Sequence, residues 1–266
     1  MQQLFTITSE INFPQSHLML EINAGNVIFT VLDTSGNTFT NLVCTAYNGA
    51  EELDEILSLS AMLKGSFKKT DICWGFAESV LMPNEFFKKQ TATEMPVLVY
   101  GNNYNAETNH DFLYKHNMYN VYTIPSPVYS VVKKHFPYVN CSHLFSVLPE
   151  CNADDGLYAV FYFDALTVML KKNKQVQLIK KYSYKTPEDA AFHLLNVCRG
   201  FAVDATTVAL ALSGMIDEKS ALYAELYKYF LHINFQQLPD SFLYIDEIKN
   251  LPPHFFSYLF SATICV

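Results

Sequence analysis

The feature that most constrains the fold is an order of elements that occurs twice. In each half, the hydrophobic pattern predicts three strands joined by short turns, then a helix, a strand and a second helix. In the first half these elements are expected at residues 18–23, 27–33, 38–47, 51–63, 72–77 and 127–135. In the second half they are expected at residues 157–163, 166–171, 176–184, 186–200, 206–212 and 218–232. The repeated order predicts an α/β protein of two similar halves.

Residues 150–156 separate the halves, since this stretch is polar and rich in turn formers. The pattern therefore predicts an N-terminal lobe over residues 1–150 and a C-terminal lobe over residues 156–266. Residues 101–109 are expected to form an exposed loop within the first lobe.

The glycines exclude two common nucleotide-binding fingerprints. The chain has nine glycines, and the closest pair, Gly65 and Gly75, lies ten positions apart. Neither GxGxxG nor GxxxxGK[ST] can occur, which excludes the Rossmann and P-loop motifs.

The charged residues argue against nucleic-acid binding. The chain has 26 acidic and 18 basic residues, a formal charge of −8, and Arg199 is its one arginine. Because recognition of phosphates and of guanine edges relies on arginine, no nucleic-acid partner is expected.

The cysteines and the apolar stretches predict a cytoplasmic protein. Six cysteines are scattered among apolar neighbours without a CxxC pair, as is typical of free thiols in a reducing compartment. No basic residue precedes Lys64, so no secretory leader is expected. The longest apolar stretch, residues 157–170, is shorter than the ~20 residues of a spanning helix, so no membrane insertion is expected.

The duplicated hairpin, third strand, helix and strand resemble the actin-like ATPase superfamily of actin, Hsp70 and sugar kinases. Residues 182–195 and the Phe255-Phe256 ending also resemble a bacterial domain-of-unknown-function family with that fold. The resemblance implies a duplicated actin-like ATPase (ribonuclease H-like) fold, with two lobes of mixed sheets flanked by helices.

The resemblance also implies where a nucleotide would bind. In the superfamily, one hairpin turn per lobe carries Asp-x-Gly, whose acid holds Mg²⁺ or its waters and whose glycine admits the phosphates. Here the first turn reads Asn23-Ala24-Gly25, with an amide in place of the acid. The second turn is expected at Asp164-Ala165, with Leu166 where a phosphate would approach.

The loop on the adenosine side matches as Ser213-Gly214, with one glycine instead of two. Each element thus lacks one chemical requirement, which predicts a decayed site. Structural roles are the alternative for the same residues. Gly25 would then supply positive φ, Asp164 would cap a hairpin, and Ser213-Gly214 would turn a strand into a helix.

The sequence gives little evidence of any other catalytic site or of a metal site. His110 and His116, with Asp111 nearby, are six residues apart and do not share a helix face, so an exposed loop is favoured over a metal site. No GxSxG motif and no cysteine in a catalytic signature occurs.

The sequence favours a non-catalytic scaffold or protein-interaction protein with a degenerate actin-like ATPase fold. Its expected partner is another protein, with self-association left open, and no cofactor is expected. The alternative is an ATP-binding protein or phosphotransferase with a non-standard site between the lobes. Asn23, Gly25, Asp164, Ser213 and Gly214 would then bind ATP and Mg²⁺.

Overall fold

The structure, a computed structural model, describes residues 2–101 and 105–265. It divides into two compact units. The first is formed by residues up to Ser146 together with Asp240–Leu251, and the second by Val147–Pro239 and Pro252–Cys265. The sequence placed residues 240–251 in the second half, whereas they belong to the first unit because a short strand there pairs with its sheet. The division into lobes 1–150 and 156–266 stays a prediction.

Strands account for more of the described residues than helices do. They are β1 (Gln2–Ile7), β2 (Ser16–Ile22), β3 (Asn26–Asp33), β4 (Thr38–Ala46), β5 (Lys69–Trp74), β6 (Ser79–Pro83), β7 (Ala106–Leu113), β8 (Met118–Pro125), β9 (Asn140–His143), β10 (Gly156–Phe161), β11 (Ala165–Lys172), β12 (Gln175–Ser183), β13 (Ala209–Gly214), β14 (His232–Phe235) and β15 (Leu243–Tyr244). The helices are α1 (Gly49–Leu59), α2 (Lys89–Tyr100), α3 (Ser126–His135), α4 (Leu144–Cys151), α5 (Pro187–Gly200), α6 (Ala221–Tyr227), α7 (Asp246–Lys249) and α8 (Ser257–Cys265).

The main sheet of the first unit has the order β1-β4-β3-β2-β5-β9. Strands β2, β3 and β4 are antiparallel neighbours, whereas β5 and β9 run parallel to β2. The outer edge of β4 is covered by β1 and by β15. A separate three-stranded sheet has the order β6-β8-β7.

The sheet of the second unit has the order β12-β11-β10-β13-β14. Its first three strands are antiparallel and its last two are parallel, the arrangement found in the first unit. Strands β10 to β14 therefore correspond to β2, β3, β4, β5 and β9. The predicted duplication is confirmed.

Each sheet buries an apolar face against helices of its own unit. In the first unit Leu20 and Ile22 of β2 pack in one cluster with Leu53 of α1. In the second unit Leu157 of β10 packs in a cluster with Leu194 of α5. Both strands are rich in apolar residues, as is typical of strands that are buried on both faces.

The start of α5 is fixed by a capping box. The hydroxyl of Thr186 accepts from the amide of Asp189, whose carboxylate accepts from the amide of Thr186, and Pro187 is the first helical residue. The predicted helix start at Thr186-Pro187 is therefore confirmed.

Two expected elements differ in the structure. The predicted loop at 101–109 is wrong for its second part, because β7 begins at Ala106 and pairs with β8, while residues 102–104 lie outside the described residues. The helix predicted at 218–232 is shorter, since α6 ends at Tyr227 and His232 begins β14. Within the described ranges, no helix is long and apolar enough to cross a membrane.

Candidate functional site

The first hairpin turn joins β2 to β3. The amide of Asn23 donates to the carbonyl of Asn26 over 3.0 Å. The side-chain oxygen of Asn23 accepts from the amides of Gly25, at 3.2 Å, and Asn26, at 3.0 Å. Asn23 therefore caps its own turn, and the amides that could face a phosphate already donate to it.

Gly25 does not have the role that the sequence suggested. Its φ is not positive, and a Cβ built on it would meet nothing within 4 Å. The prediction that this turn needs positive φ at Gly25 is therefore wrong.

A buried carboxylate lies beside the first turn. Glu21 is fully buried on β2, and its Oε1 lies 3.4 Å from the side-chain amide nitrogen of Asn23. A Cβ on Gly75 would come within 2.8 Å of the same oxygen, so Gly75 leaves room for this carboxylate. Sequence reasoning missed Glu21, although an acid within the apolar run 18–22 was a visible signal.

The second hairpin turn is one residue earlier than predicted. The amide of Tyr162 donates to the carbonyl of Ala165 over 2.7 Å, so Phe163 and Asp164 form the tip. Both tip residues are exposed, whereas Leu166 is buried in the core of the second unit. The expectations of a turn at Asp164-Ala165 and of Leu166 at a phosphate position are therefore wrong.

Sheet register shows which positions of the two turns correspond. Ile22 faces Val27 across the first hairpin, and Phe161 faces Leu166 across the second. Tyr162 therefore occupies the place of Asn23, and Asp164 occupies the place of Gly25. Neither position that would hold the superfamily's acid carries a carboxylate.

A tyrosine holds each turn from the end of the third strand. The Tyr47 amide donates to the carbonyl of Gly25 over 2.9 Å, and its hydroxyl donates to the carbonyl of Asn23. Tyr184 does the same in the second unit, with its amide 3.0 Å from the carbonyl of Asp164 and its hydroxyl 2.9 Å from that of Tyr162. We call this repeated arrangement the tyrosine clamp. No sequence motif pointed to it.

Ser213 and Gly214 are the last two residues of β13, where the chain leaves the strand, and they pair with the end of β10. The Gly214 amide and the Ser213 hydroxyl both donate to the carbonyl of His254, at 2.8 and 2.9 Å. The Ser213 hydroxyl also lies 2.9 Å from that of Ser257. The polar groups of this turn are therefore engaged by the segment just before α8.

A hydrogen bond to the backbone fixes the ring orientation of His254. Its Nε2 lies 2.6 Å from the carbonyl of Ile216, which can only accept, so Nε2 carries the proton. Burial lowers the pKa of His254.

Gly214 is required by geometry. Its φ is +83°, and a Cβ would lie 2.1 Å from the carbonyl oxygen of Phe161. This close approach lets the Met215 amide donate to that oxygen over 2.8 Å. The structural role suggested for Ser213-Gly214 as a turn agrees with this geometry.

The five predicted site residues fall into two groups. Asn23 and Gly25 share one turn of the first unit. Ser213 and Gly214 lie in the second unit beside the strand that leads to Asp164. Their proposed role in nucleotide binding stays a prediction.

The histidine group has a different environment from the one expected. His110 and Asp111 lie on β7, and Asp111 accepts from the Ser146 hydroxyl, at 2.6 Å, and from the His143 amide, at 2.8 Å. Burial raises the pKa of Asp111. In the described part of the chain, no three His, Cys, Asp or Glu residues are grouped so that they could hold a metal ion.

Comparison with solved structures identifies the fold. The chain is similar to a Bacteroides thetaiotaomicron protein described as having an actin-like ATPase fold and unknown function. The identity is 18%, the TM-score is 0.77, and the match covers 86% of this chain and 94% of that chain. The predicted α/β actin-like fold is confirmed.

Two further structures share the fold at lower similarity. The PilM-PilN type IV pilus biogenesis complex matches with 10% identity, a TM-score of 0.60, and coverage of 94% of this chain and 98% of that chain. The cytoplasmic domain of EpsL, an inner membrane component of the Vibrio cholerae type II secretion system, matches with 11% identity, a TM-score of 0.50 and coverage of 94% of each chain.

A comparison with curated proteins found no match. A family model described as "Protein of unknown function (DUF3822)" matches residues 7–233, which is most of the chain. The chain therefore belongs to the DUF3822 family of proteins of unknown function and has the actin-like ATPase fold.

Proposed function

We propose that this protein is a non-catalytic scaffold or protein-interaction protein that has lost ATP turnover. One observation carries the proposal: neither turn position that corresponds to the superfamily's acid holds a carboxylate. Asn23 and Tyr162 occupy these positions, and a neutral amide or a phenol is a poor ligand for Mg²⁺.

The hydrogen-bonding groups of the turns support the same proposal. The Asn23 side chain accepts from the amides of Gly25 and Asn26, and the carbonyl of His254 accepts from the amide of Gly214 and the hydroxyl of Ser213. A phosphate could reach these donors only by displacing the internal acceptors. Each displaced bond would cost about 1 kcal/mol.

The cysteines support a cytoplasmic location for this protein. Cys44, Cys73 and Cys198 are buried free thiols. Burial raises the pKa of Cys44 to about 12 and that of Cys198 to about 11, so both stay protonated. Such thiols behave as small core residues and are typical of a reducing compartment.

Similar structures supply the analogy for a protein partner. PilM is described in complex with PilN, and EpsL is described as a component of a secretion system. By analogy, we propose that this chain also acts by binding another protein.

A titration with Mg·ATP tests the proposal. A ligand present at about 100 times its Kd stabilises a protein by about 2.7 kcal/mol, which is readily seen as a rise in Tm. We expect no rise in Tm at millimolar Mg·ATP, no change in the fluorescence of Trp74, and no steady hydrolysis. Asp164→Asn serves as the control, since this side chain is exposed at the hairpin tip and should leave every readout unchanged.

Two outcomes would overturn the proposal. Steady ATP hydrolysis that is lost in Asp164→Asn would favour the phosphotransferase alternative. A rise in Tm without hydrolysis would instead indicate retained nucleotide binding.

A further inference from the structure

The edge strand of the second unit differs from its counterpart in the first. In the first unit β4 is covered on its outer side, since β1 pairs with Leu42–Ala46 and β15 pairs with Thr38–Phe39. The corresponding strand, β12, ends its sheet, and in the described part of the chain no strand pairs with its outer side. The outer side of β12 is therefore not covered by another strand, although the outward carbonyl of Ser183 lies 3.2 Å from Nε2 of His193.

The first unit shows what fits at such an edge. Strand β1 is extended and antiparallel to β4, with a small irregularity near its start. Thr6 of β1 lines the same cavity as Ile56 and Leu59 of α1, so the added strand and the helix border one space. A short extended segment is therefore the natural occupant of the space beside β12 and α5.

A row of side chains runs from β12 to the outer side of α5. The ammonium of Lys180 lies 5.6 Å from the centroid of the Tyr182 ring, which stacks on His193 at 4.5 Å. The His193 ring in turn packs edge-on against Phe192, with centroids 5.8 Å apart. Phe192 is 60% exposed, and Lys180 is exposed as well. We call these four residues the edge row.

Strand β12 itself carries Lys180 and Lys181 and no acidic residue, although the formal charge of the chain is −8. Lys180 is exposed on the strand, and the exposed Lys174 and Lys185 lie next to its ends, where Asp155 and Asp189 accept from their backbone amides. Such lysines would repel a second copy of the same strand. A neutral strand would gain no electrostatic attraction from them. They favour an acidic strand, whose charges they would neutralise.

We infer that β12 binds an extended acidic segment of a partner protein, which adds to the sheet as an antiparallel strand. Backbone hydrogen bonds would supply affinity, and contacts with the edge row would select acidic residues next to apolar ones. This inference rests on the proposed interaction function and names the chemistry of the partner.

The experiment uses a defined probe and the whole protein. The probe is a fluorescent octapeptide of alternating glutamate and valine, and the control peptide replaces each glutamate by lysine. We expect fluorescence anisotropy to show binding of the acidic peptide, weaker binding as salt is added, and no binding of the basic peptide. No binding of the acidic peptide at millimolar protein would overturn the inference.

Backbone methylation tests whether the peptide adds as a strand. Alternate residues of a strand direct their amides to the same edge, so methylating either the valine or the glutamate nitrogens blocks one edge. Because the two faces of the peptide differ, we expect one methylated peptide to lose binding and the other to keep it. Equal binding of both would refute strand addition.

Matched variants locate the binding surface. Lys180→Glu reverses a charge on β12 and should weaken the acidic peptide about tenfold, because attraction becomes repulsion. Lys64→Glu makes the same change at an exposed site in the first unit and should leave binding unchanged. Equal effects of both variants would indicate nonspecific attraction and overturn the inference.

Two controls distinguish peptide binding at β12 from self-association and from nucleotide binding. A dimer in light scattering that dissociates in Lys180→Glu would show that a second copy occupies β12, against the inference. The peptide assays contain no nucleotide, so their failure is independent of the Mg·ATP titration.

Discussion

Two alanine substitutions at glycines of the predicted site should have opposite effects on stability. In Gly214→Ala the new Cβ would lie 2.1 Å from the carbonyl oxygen of Phe161, and the residue would keep a φ of +83°. In Gly25→Ala the new Cβ would meet nothing within 4 Å, and φ is not positive. The two positions therefore separate a glycine required by geometry from one that is not.

The size of the effect follows from the contacts. A left-handed conformation costs a non-glycine residue about 1–2 kcal/mol. Relief of the overlap moves the backbone by more than an ångström, which breaks the 2.8 Å bond from the Met215 amide to Phe161 and weakens that from Gly214 to His254. Each of these bonds is worth about 1 kcal/mol. We expect Gly214→Ala to lower the free energy of unfolding by about 3 kcal/mol or more.

Gly25→Ala should be neutral or slightly stabilising, by up to about 1 kcal/mol, because alanine restricts the unfolded chain. The assay is urea denaturation followed by far-UV circular dichroism, with thermal melting as a second measurement. A change of ~3 kcal/mol corresponds to roughly 6–12 °C in Tm for a chain of this size. The reasoning is refuted if Gly214→Ala has the same urea midpoint as the parent protein. It is also refuted if Gly25→Ala lowers the free energy of unfolding more than Gly214→Ala does.

Three further substitutions test other parts of the structure by the same denaturation assay. Tyr184→Phe removes one hydroxyl of the tyrosine clamp and should cost about 1 kcal/mol, and an unchanged midpoint would contradict this. Burial opposes ionisation of Asp71, but hydrogen bonds from His17 and Lys69 outweigh it and hold its pKa below the usual range. Its stabilisation is therefore present above a pH of about 4 and is lost as the pH falls through the folded pKa. Asp71→Asn should cost about 2 kcal/mol at pH 7 and progressively less toward pH 3, and a constant difference would exclude ionisation as the cause. Burial raises the pKa of Asp111, so its contribution falls as the pH rises above about 4. The free energy of unfolding of Asp111→Asn, relative to that of the parent protein, should therefore be highest at pH 8. A relative stability that falls as the pH rises would contradict this.

The paired strands and the start of α5 could be predicted because they have strong local signals. Strands β2 and β10 are buried on both faces, and strands of this kind are rich in apolar residues, which gives a clear signal in the sequence. Thr186, Pro187 and Asp189 together define a helix start through hydrogen bonds between neighbouring residues. Such signals need no information about distant parts of the chain.

The missed elements depend on partners distant in the sequence. Strand β7 reads AETNHDFL, which is mostly polar, and it is a strand because β8 pairs with it along its whole length. Strand β15 has two residues and forms against β4, some 200 positions earlier. A single sequence does not reveal either pairing.

The position of the second turn could not be read from the apolar run 157–163. That run continues through Tyr162 and Phe163, beyond the last residue of β10. The turn is set by the bond from the Tyr162 amide to the carbonyl of Ala165, which only the sheet register reveals. The sequence consequently aligned Asp164 with the superfamily's acid, whereas the structure gives that position to Tyr162.

The two turns keep one backbone geometry despite different side chains. Asn23 and Gly25 correspond to Tyr162 and Asp164, yet each pair accepts the same two hydrogen bonds from its tyrosine clamp. Sheet register and the clamp thus hold both turns through contacts within the protein. The backbone conformation of the two turns therefore does not depend on which side chain stands at the position of Asn23 and Tyr162.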